Sequence, residues 1–160
     1  MSPKNSNVSK KTHRFLLNKL KDRRALKIYK KFEGKLSINK NFIVAVSGGP
    51  DSLALSFLSK IYSIKKSLDV KYFIVDHRLR KNSTSEAKYV QKKLKNFSIK
   101  LDILTWRGFK PNKNIQSIAR EKRYELLCDR AKKYRVETIL VGHHLDDLFE
   151  NFFLRILRGS

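Results

Sequence analysis

Cysteine, acidic residues and long apolar runs are what this sequence has little of. Cys128 is the single cysteine in 160 residues, so the chain supplies neither a disulfide framework nor a cysteine-built zinc or iron–sulfur site. No apolar run approaches the length of a membrane span. The N-terminus is basic but has no long apolar core, so no secretory signal is expected and the cytoplasm is the expected compartment. Asp and Glu number 14 against 37 Lys and Arg, a net charge of +23. That imbalance favours a polyanionic partner, RNA first, although AT-biased codon usage also enriches Lys, Asn and Ile. A hydrophobic fraction of 41% fits a globular chain, and the length suits a single domain with a real core.

Six glycines leave few places for a tight turn, and two of them are adjacent. The β-branched run Phe42-Ile43-Val44-Ala45-Val46 stops at Ser47-Gly48-Gly49-Pro50-Asp51-Ser52, and helix formers follow from Leu53. This predicts a buried strand, a glycine turn and a helix. Glycine allows positive φ and leaves no side chain in a ligand's way. Consecutive N–H groups at such a turn form an anion nest, to which the helix adds its positive end. Pro50 suits the first helical turn, and Ser47 and Ser52 can add hydroxyl donors. Asp51, a carboxylate beside a phosphate cradle, makes sense if a divalent cation bridges the two. A plain glycine turn with a solvated Asp cap is the alternative. The Gly-x-x-x-x-Gly-Lys-Ser/Thr spacing of the Walker loop is absent.

The rest of the chain alternates strand and helix. Residues 1–11 read as a disordered basic tail. Residues 12–40 read as a basic helix and lead-in. The helix runs from Thr12 to Phe32, with Phe15, Leu16, Leu20, Leu26, Ile28 and Phe32 as its apolar face and Gly34 as its end. Residues 41–160 form the main domain. After the glycine turn a helix carries Leu55, Leu58, Ile61, Tyr62 and Ile64 on one face. Strand two is Val70–Val75, ending in Asp76-His77. A helix over 83–96 has Ser83 or Thr84 with Glu86 as capping signals. Strand three, Ile99–Leu104, alternates at period two, as near a sheet edge. A helix over 115–134 sets Arg120 and Arg123 on a shared face. Strand four, Thr138–Val141, breaks at Gly142-His143-His144-Leu145-Asp146-Asp147, before a last helix. The pattern predicts an α/β fold, a parallel sheet with helices on both faces. Its ligand would sit beyond the carboxyl ends of the strands where strand order reverses. One crevice collects the special residues if strands one and four are neighbours.

His143 and Asp147 are four apart and Asp147 and Glu150 three apart, so they can line one face of a helix start. Individually each has a structural reading, as cap or satisfied strand end. Together, opposite a phosphate cradle, they suggest a site for an ammonium group, with a metal site as rival.

The glycine turn resembles the PP-loop of the ATP pyrophosphatases, which cleave ATP between the α and β phosphates. Four further stretches follow it in order: Val-Asp-His-Arg-Leu-Arg from Val75, Asn-Ile-Gln-Ser-Ile-Ala-Arg-Glu-Lys-Arg-Tyr from Asn114, Gly-His-His-Leu-Asp-Asp from Gly142, and Phe-Leu-Arg-Ile-Leu-Arg-Gly-Ser to the end. From Phe42 to Ser160 this order resembles the tRNA(Ile)-lysidine synthetase family. The resemblance implies an adenine nucleotide alpha hydrolase-like fold. It also implies ATP-dependent joining of free L-lysine to C2 of the wobble cytidine of tRNA(Ile) with a CAU anticodon, with release of AMP and pyrophosphate. It assigns Ser47, Gly48, Gly49, Pro50, Asp51 and Ser52 to the ATP phosphates, Asp51 to Mg²⁺, and Val46 and Val75 to the adenine. Arg120 and Arg123 match the family's basic pair, and His143, Asp147 and Glu150 match its acidic, lysine-facing cluster. Family members continue well past the Arg-Gly-Ser segment, so a chain truncated at its C-terminal end is implied, with the oligomeric state open and a homodimer one arrangement. A tRNA thiolase of the same superfamily, which would need paired cysteines, and a non-catalytic basic RNA-binding remnant are the rivals.

Overall fold

The computed structural model of the protein describes residues 13–142. Its centre is β1, Phe42–Val46, all five residues of which are buried. β1 pairs in parallel with β2 (Val70–Asp76) on one side and with β4 (Ile139–Val141) on the other. β3 (Leu101–Thr105) pairs in parallel with β2, giving the order β3-β2-β1-β4. The chain therefore steps outward from β1 to β3 and then returns to the far side of β1. Strands one and four are neighbours, as the single-crevice expectation requires, and β3 lies at an end of the described sheet.

Alternate residues of β1 serve two cores, because strand side chains alternate between faces. Phe42, Val44 and Val46 pack with α2 (Pro50–Lys66) and α3 (Ser83–Lys95). Ile43 and Ala45 pack with Phe73, Leu104 and Leu127, the last from α4 (Ile115–Tyr134). Burial on both faces explains why the strand reads as an unbroken apolar run.

Three expectations need correction. The N-terminal basic helix is not continuous: residues 13–18 are helical, a 3₁₀ turn spans Lys19–Lys21, and α1 (Arg23–Glu33) starts afresh. Asp22 caps α1 by accepting from Ala25 N–H at 2.8 Å, an arrangement worth about 1 kcal/mol. The restart resets the helical phase. Tyr29, absent from the expected apolar face, is fully buried, whereas Ile28 and Phe15 are exposed.

The second correction concerns α2, whose buried residues include four serines beside the expected Ile61 and Tyr62. Ser52, Ser56, Ser59 and Ser63 are buried, while Leu55, Leu58 and Ile64 are partly buried beside them. Small side chains let the helix backbone approach the sheet. Ser56 and Ser63 return their hydroxyls to the carbonyls of Ser52 and Lys60, the usual outlet for a buried helical serine.

The third concerns α3, which begins at Ser83 with Asn82 as its cap residue and no side-chain cap bond. The hydroxyls of Ser83 and Thr84 turn to Asp76 instead.

Candidate functional site

The glycine turn and the strand ends meet at a cleft of about 730 Å³ at the carboxyl ends of β1 and β2. Val46, Ser47 and Gly48 form one wall, Val75, Asp76 and His77 a second, and α3 residues including Glu86 and Val90 a third. Arg123 reaches in from α4, on the opposite face of the sheet. Val46 and Val75, the expected adenine neighbours, both line it.

The two glycines have different reasons to be there. Gly48 adopts φ +89°, and a Cβ on it would stand 3.0 Å from Val90 Cγ2. Its backbone conformation and packing both demand glycine. Gly49 has an ordinary φ of −72° as the cap residue of α2. A Cβ there would meet nothing closer than Ser47 Oγ at 3.8 Å, so the protein's own packing leaves its face open.

Ser52 is buried and holds the loop together. Its Oγ accepts from Ser47 N–H at 3.2 Å and Gly48 N–H at 3.1 Å, and its O–H donates to the Gly49 carbonyl at 2.9 Å. The expectation that Ser52 offers its hydroxyl outward is therefore corrected: the hydroxyl is committed inside the loop, and two of the nest's N–H groups point at it. Ser47 remains exposed. Pro50 takes the first helical turn and Asp51 follows it, exposed. The first i to i−4 bond of α2 runs from Leu53 N–H to the Gly49 carbonyl, so the positive end of the helix faces the loop.

Gly142 ties β4 to this corner. A Cβ at Gly142 would lie 3.1 Å from Ser52 Cα and 3.2 Å from Ser52 N. A side chain there would crowd the backbone at the start of α2, which would have to give by a few tenths of an ångström. His143, Asp147 and Glu150 lie outside the described residues, but the chain that leads to them departs from this contact.

Arg120 and Arg123 have different surroundings in the described structure. Arg123 lines the cleft, and its guanidinium pKa is lowered, by burial first and by Arg120 in addition, with Tyr124 opposing. Arg120 turns to Tyr124, donating to its hydroxyl at 3.3 Å and standing over its ring. Among the described residues Arg120 does not line the cleft.

Asp76 has a larger part in the site than its sequence position suggested. It is buried and accepts from Ser83 Oγ at 2.8 Å, Thr84 Oγ1 at 2.6 Å and Arg78 N–H at 3.0 Å. Burial alone would raise its pKa, but these hydrogen bonds and the Arg78 charge outweigh it and hold the pKa below its ordinary value. The carboxylate thereby fixes the loop that walls the cleft. Next to it His77 packs edge-on against Trp106, ring centroids 6.2 Å apart. Both its ring nitrogens are buried without a described partner. Burial first, then the charges of Arg123 and Lys110, lower its pKa to about 4, so it is neutral at physiological pH.

For a divalent cation the described residues offer little beyond Asp51: no group of three His, Cys, Asp or Glu side chains among them could hold a metal. That suits Mg²⁺, which is commonly held by one or two carboxylates together with substrate phosphates and water.

A family model described as a PP-loop domain matches residues 17–160. The chain belongs to the PP-loop family. This PP-loop domain is 40% identical over 127 residues to the tRNA(Ile)-lysidine synthase of Orientia tsutsugamushi (strain Boryong), an overlap of 79% of this chain and 29% of that protein. It is 40% identical over 123 residues to the tRNA(Ile)-lysidine synthase of Lactobacillus gasseri, covering 76% and 28% respectively. With the tRNA(Ile)-lysidine synthase of Rickettsia bellii it shares 35% over 140 residues, 83% and 32%. The PP-loop domain thus spans less than a third of the length of these relatives. Among solved structures, the U34-tRNA thiolase NcsA from Methanococcus maripaludis, determined with its 4Fe-4S cluster, superimposes with a TM-score of 0.67. The match covers 97% of this chain and 52% of the thiolase at 19% identity, a likeness of fold. The α/β architecture is therefore that of a PP-loop domain. Among the described residues no helix is long and apolar enough to cross a membrane.

Proposed function

We propose that this PP-loop domain is the catalytic part of a lysidine-forming ligase. It would use ATP to activate the C2 carbonyl oxygen of the wobble cytidine of a CAU-anticodon isoleucine tRNA and would join free lysine at that carbon. The C2 oxygen attacks the α-phosphorus and pyrophosphate leaves. The lysine ε-amine then attacks C2, loses a proton, and AMP departs with the oxygen. The cytidine oxygen is a poor leaving group, and its adenylation makes it a good one.

The candidate site residues take the following parts in this reading. The Gly48-Gly49 turn and the N-terminus of α2 hold the phosphates against the open face of Gly49. Val46 and Val75 flank the adenine. Asp51 would hold Mg²⁺, which when bound neutralises phosphate charge. Arg123 stabilises negative charge developing where the pyrophosphate leaves. The attacking amine must be neutral although its reference pKa is about 10.4. His143, Asp147 and Glu150 are assigned to bind the lysine and take that proton.

The observation that carries the reading is the contact of Gly142 with Ser52, which brings the end of β4 against the phosphate loop. Similarity to lysidine synthases supports the choice of substrates. The thiolase reading rests on fold likeness, and Cys128 is exposed and does not line the cleft. The test is lysine-dependent AMP formation with an isoleucine tRNA transcript. Wild type should release AMP only when lysine and tRNA are both present, and Asp51→Ala should release none. Turnover in Asp51→Ala equal to wild type, or AMP formation indifferent to lysine, would refute the assignment.

A further inference from the structure

Trp106 and Phe109 stand three residues apart on the loop that follows β3, and the structure treats them oppositely. Trp106 is 5% exposed and Phe109 85%. The loop that makes this division is braced. Trp106 N–H donates to the Asp76 carbonyl at 2.9 Å, extending the strand ladder. Lys110 Nζ lies 3.6 Å from the centroid of the Trp106 ring and donates to the Trp106 carbonyl at 3.0 Å. Gly108 turns the chain between them at φ +106°. Phe109 is thus held outward at the tip of a fixed turn.

The ring's surroundings favour one kind of partner. Arg107 and Lys113, on either side in sequence, are exposed. Among the described residues neither they nor Lys110 has a carboxylate within ion-pair distance. A protein core would not welcome that many cations, but a nucleic-acid backbone would. The loop follows the carboxyl end of β3, the same end of the sheet as the cleft. Trp106 touches His77, which lines that cleft.

From this exposed aromatic among uncompensated cations at the cleft's end of the sheet, we infer that Phe109 is a stacking platform for an unpaired RNA base, with Arg107 and Lys113 engaging the adjoining phosphates. The inference rests on the reading of this domain as one that acts on RNA, and adds the element that recognises an unpaired strand. Aromatic stacking is indifferent to base identity because every base has a π-face, and single-stranded loops are where bases are free to be splayed onto a ring. Phe109 would therefore distinguish a loop from a helix, leaving the choice of nucleotide to the cleft.

The test uses the whole chain with two labelled RNAs, a hairpin with an open loop and the same stem closed as a blunt duplex, read by fluorescence anisotropy at fixed salt. Phe109→Ala should weaken hairpin binding about tenfold and leave duplex binding unchanged, while Phe109→Tyr should keep wild-type affinity for both. The inference is overturned if wild type does not prefer the hairpin, if the Ala variant loses affinity for both RNAs alike or for neither, or if Tyr fails to rescue. ATP binding measured on the same samples should be equal in all variants. Failure of the RNA arm alone leaves the phosphate-loop reading standing, and failure of wild type to bind ATP counts against that reading only.

Discussion

In the turn after β1, backbone N–H groups converge on a hydroxyl, Ser52 Oγ. In the turn after β2, an N–H group and two hydroxyls converge on a carboxylate, Asp76. Both turns bury the polar atom at their centre. The second carries its own anion and is electrostatically complete. The first gathers donors around a neutral atom at the positive end of α2, and so retains attraction for an anion from outside. Two neighbouring turns at one end of a sheet have thus become a finished wall and an open cradle through the charge of one central side chain.

Removing the built-in anion should have the largest effect on the fold. Asp76→Ala leaves the Ser83, Thr84 and Arg78 donors without their acceptor and should cost about 3 kcal/mol in urea unfolding. The pH dependence has a definite sign. The folded pKa of Asp76 is lowered below 3.8, so its contribution is complete above that pH and is lost as pH falls through the folded value. The stability gap between wild type and Asp76→Asn should therefore be flat at neutral pH and close only in acid. A loss comparable to an ordinary surface change would mean that the second turn does not depend on its carboxylate.

Gly48→Ala comes next. It forces an alanine to φ +89° and a methyl group against Val90, and should cost about 1–2 kcal/mol in the same assay. His77 gives a smaller effect that sharpens the comparison from the wall's side. Its folded pKa is about 4 against an ordinary 6.5. As pH falls between those values the unfolded chain binds a proton that the folded chain refuses, so stability declines across that window. His77→Gln should flatten the decline, and the His77 resonances should not titrate near pH 6.5. An inflection there would show an imidazole open to water.

Much of this was legible because it is local. The strand–turn–helix units follow from apolar runs and glycine, whereas the adjacency of β1 and β4 entered only as the condition for a single crevice and is supplied by the structure. What escaped the sequence depends on contacts distant along the chain or on residue types that hydropathy misgrades. Ser83 and Thr84 look like helix caps until Asp76 is seen to claim them. Ser52, Ser56, Ser59 and Ser63 are polar residue types, yet they are buried along α2 together with Ile61 and Tyr62. The break at Asp22 had a signal, an Asp three residues before an accessible N–H, but the surrounding lysines and leucines continue a helical pattern across it. Arg120 and Arg123 share a helix face by spacing, yet Arg120 contacts Tyr124 while Arg123 lines the cleft.

Gly49→Ala should have the smallest effect on the fold and is the most direct test of the open cradle. Its backbone is ordinary and a Cβ there would make no more than an ordinary contact with Ser47 Oγ, so the free energy of unfolding should stay within about 0.5 kcal/mol of wild type. Calorimetric titration with ATP should show affinity reduced at least about tenfold, because the methyl group would occupy the place assigned to a phosphate. Wild-type affinity for ATP in a folded Gly49→Ala protein would contradict the account.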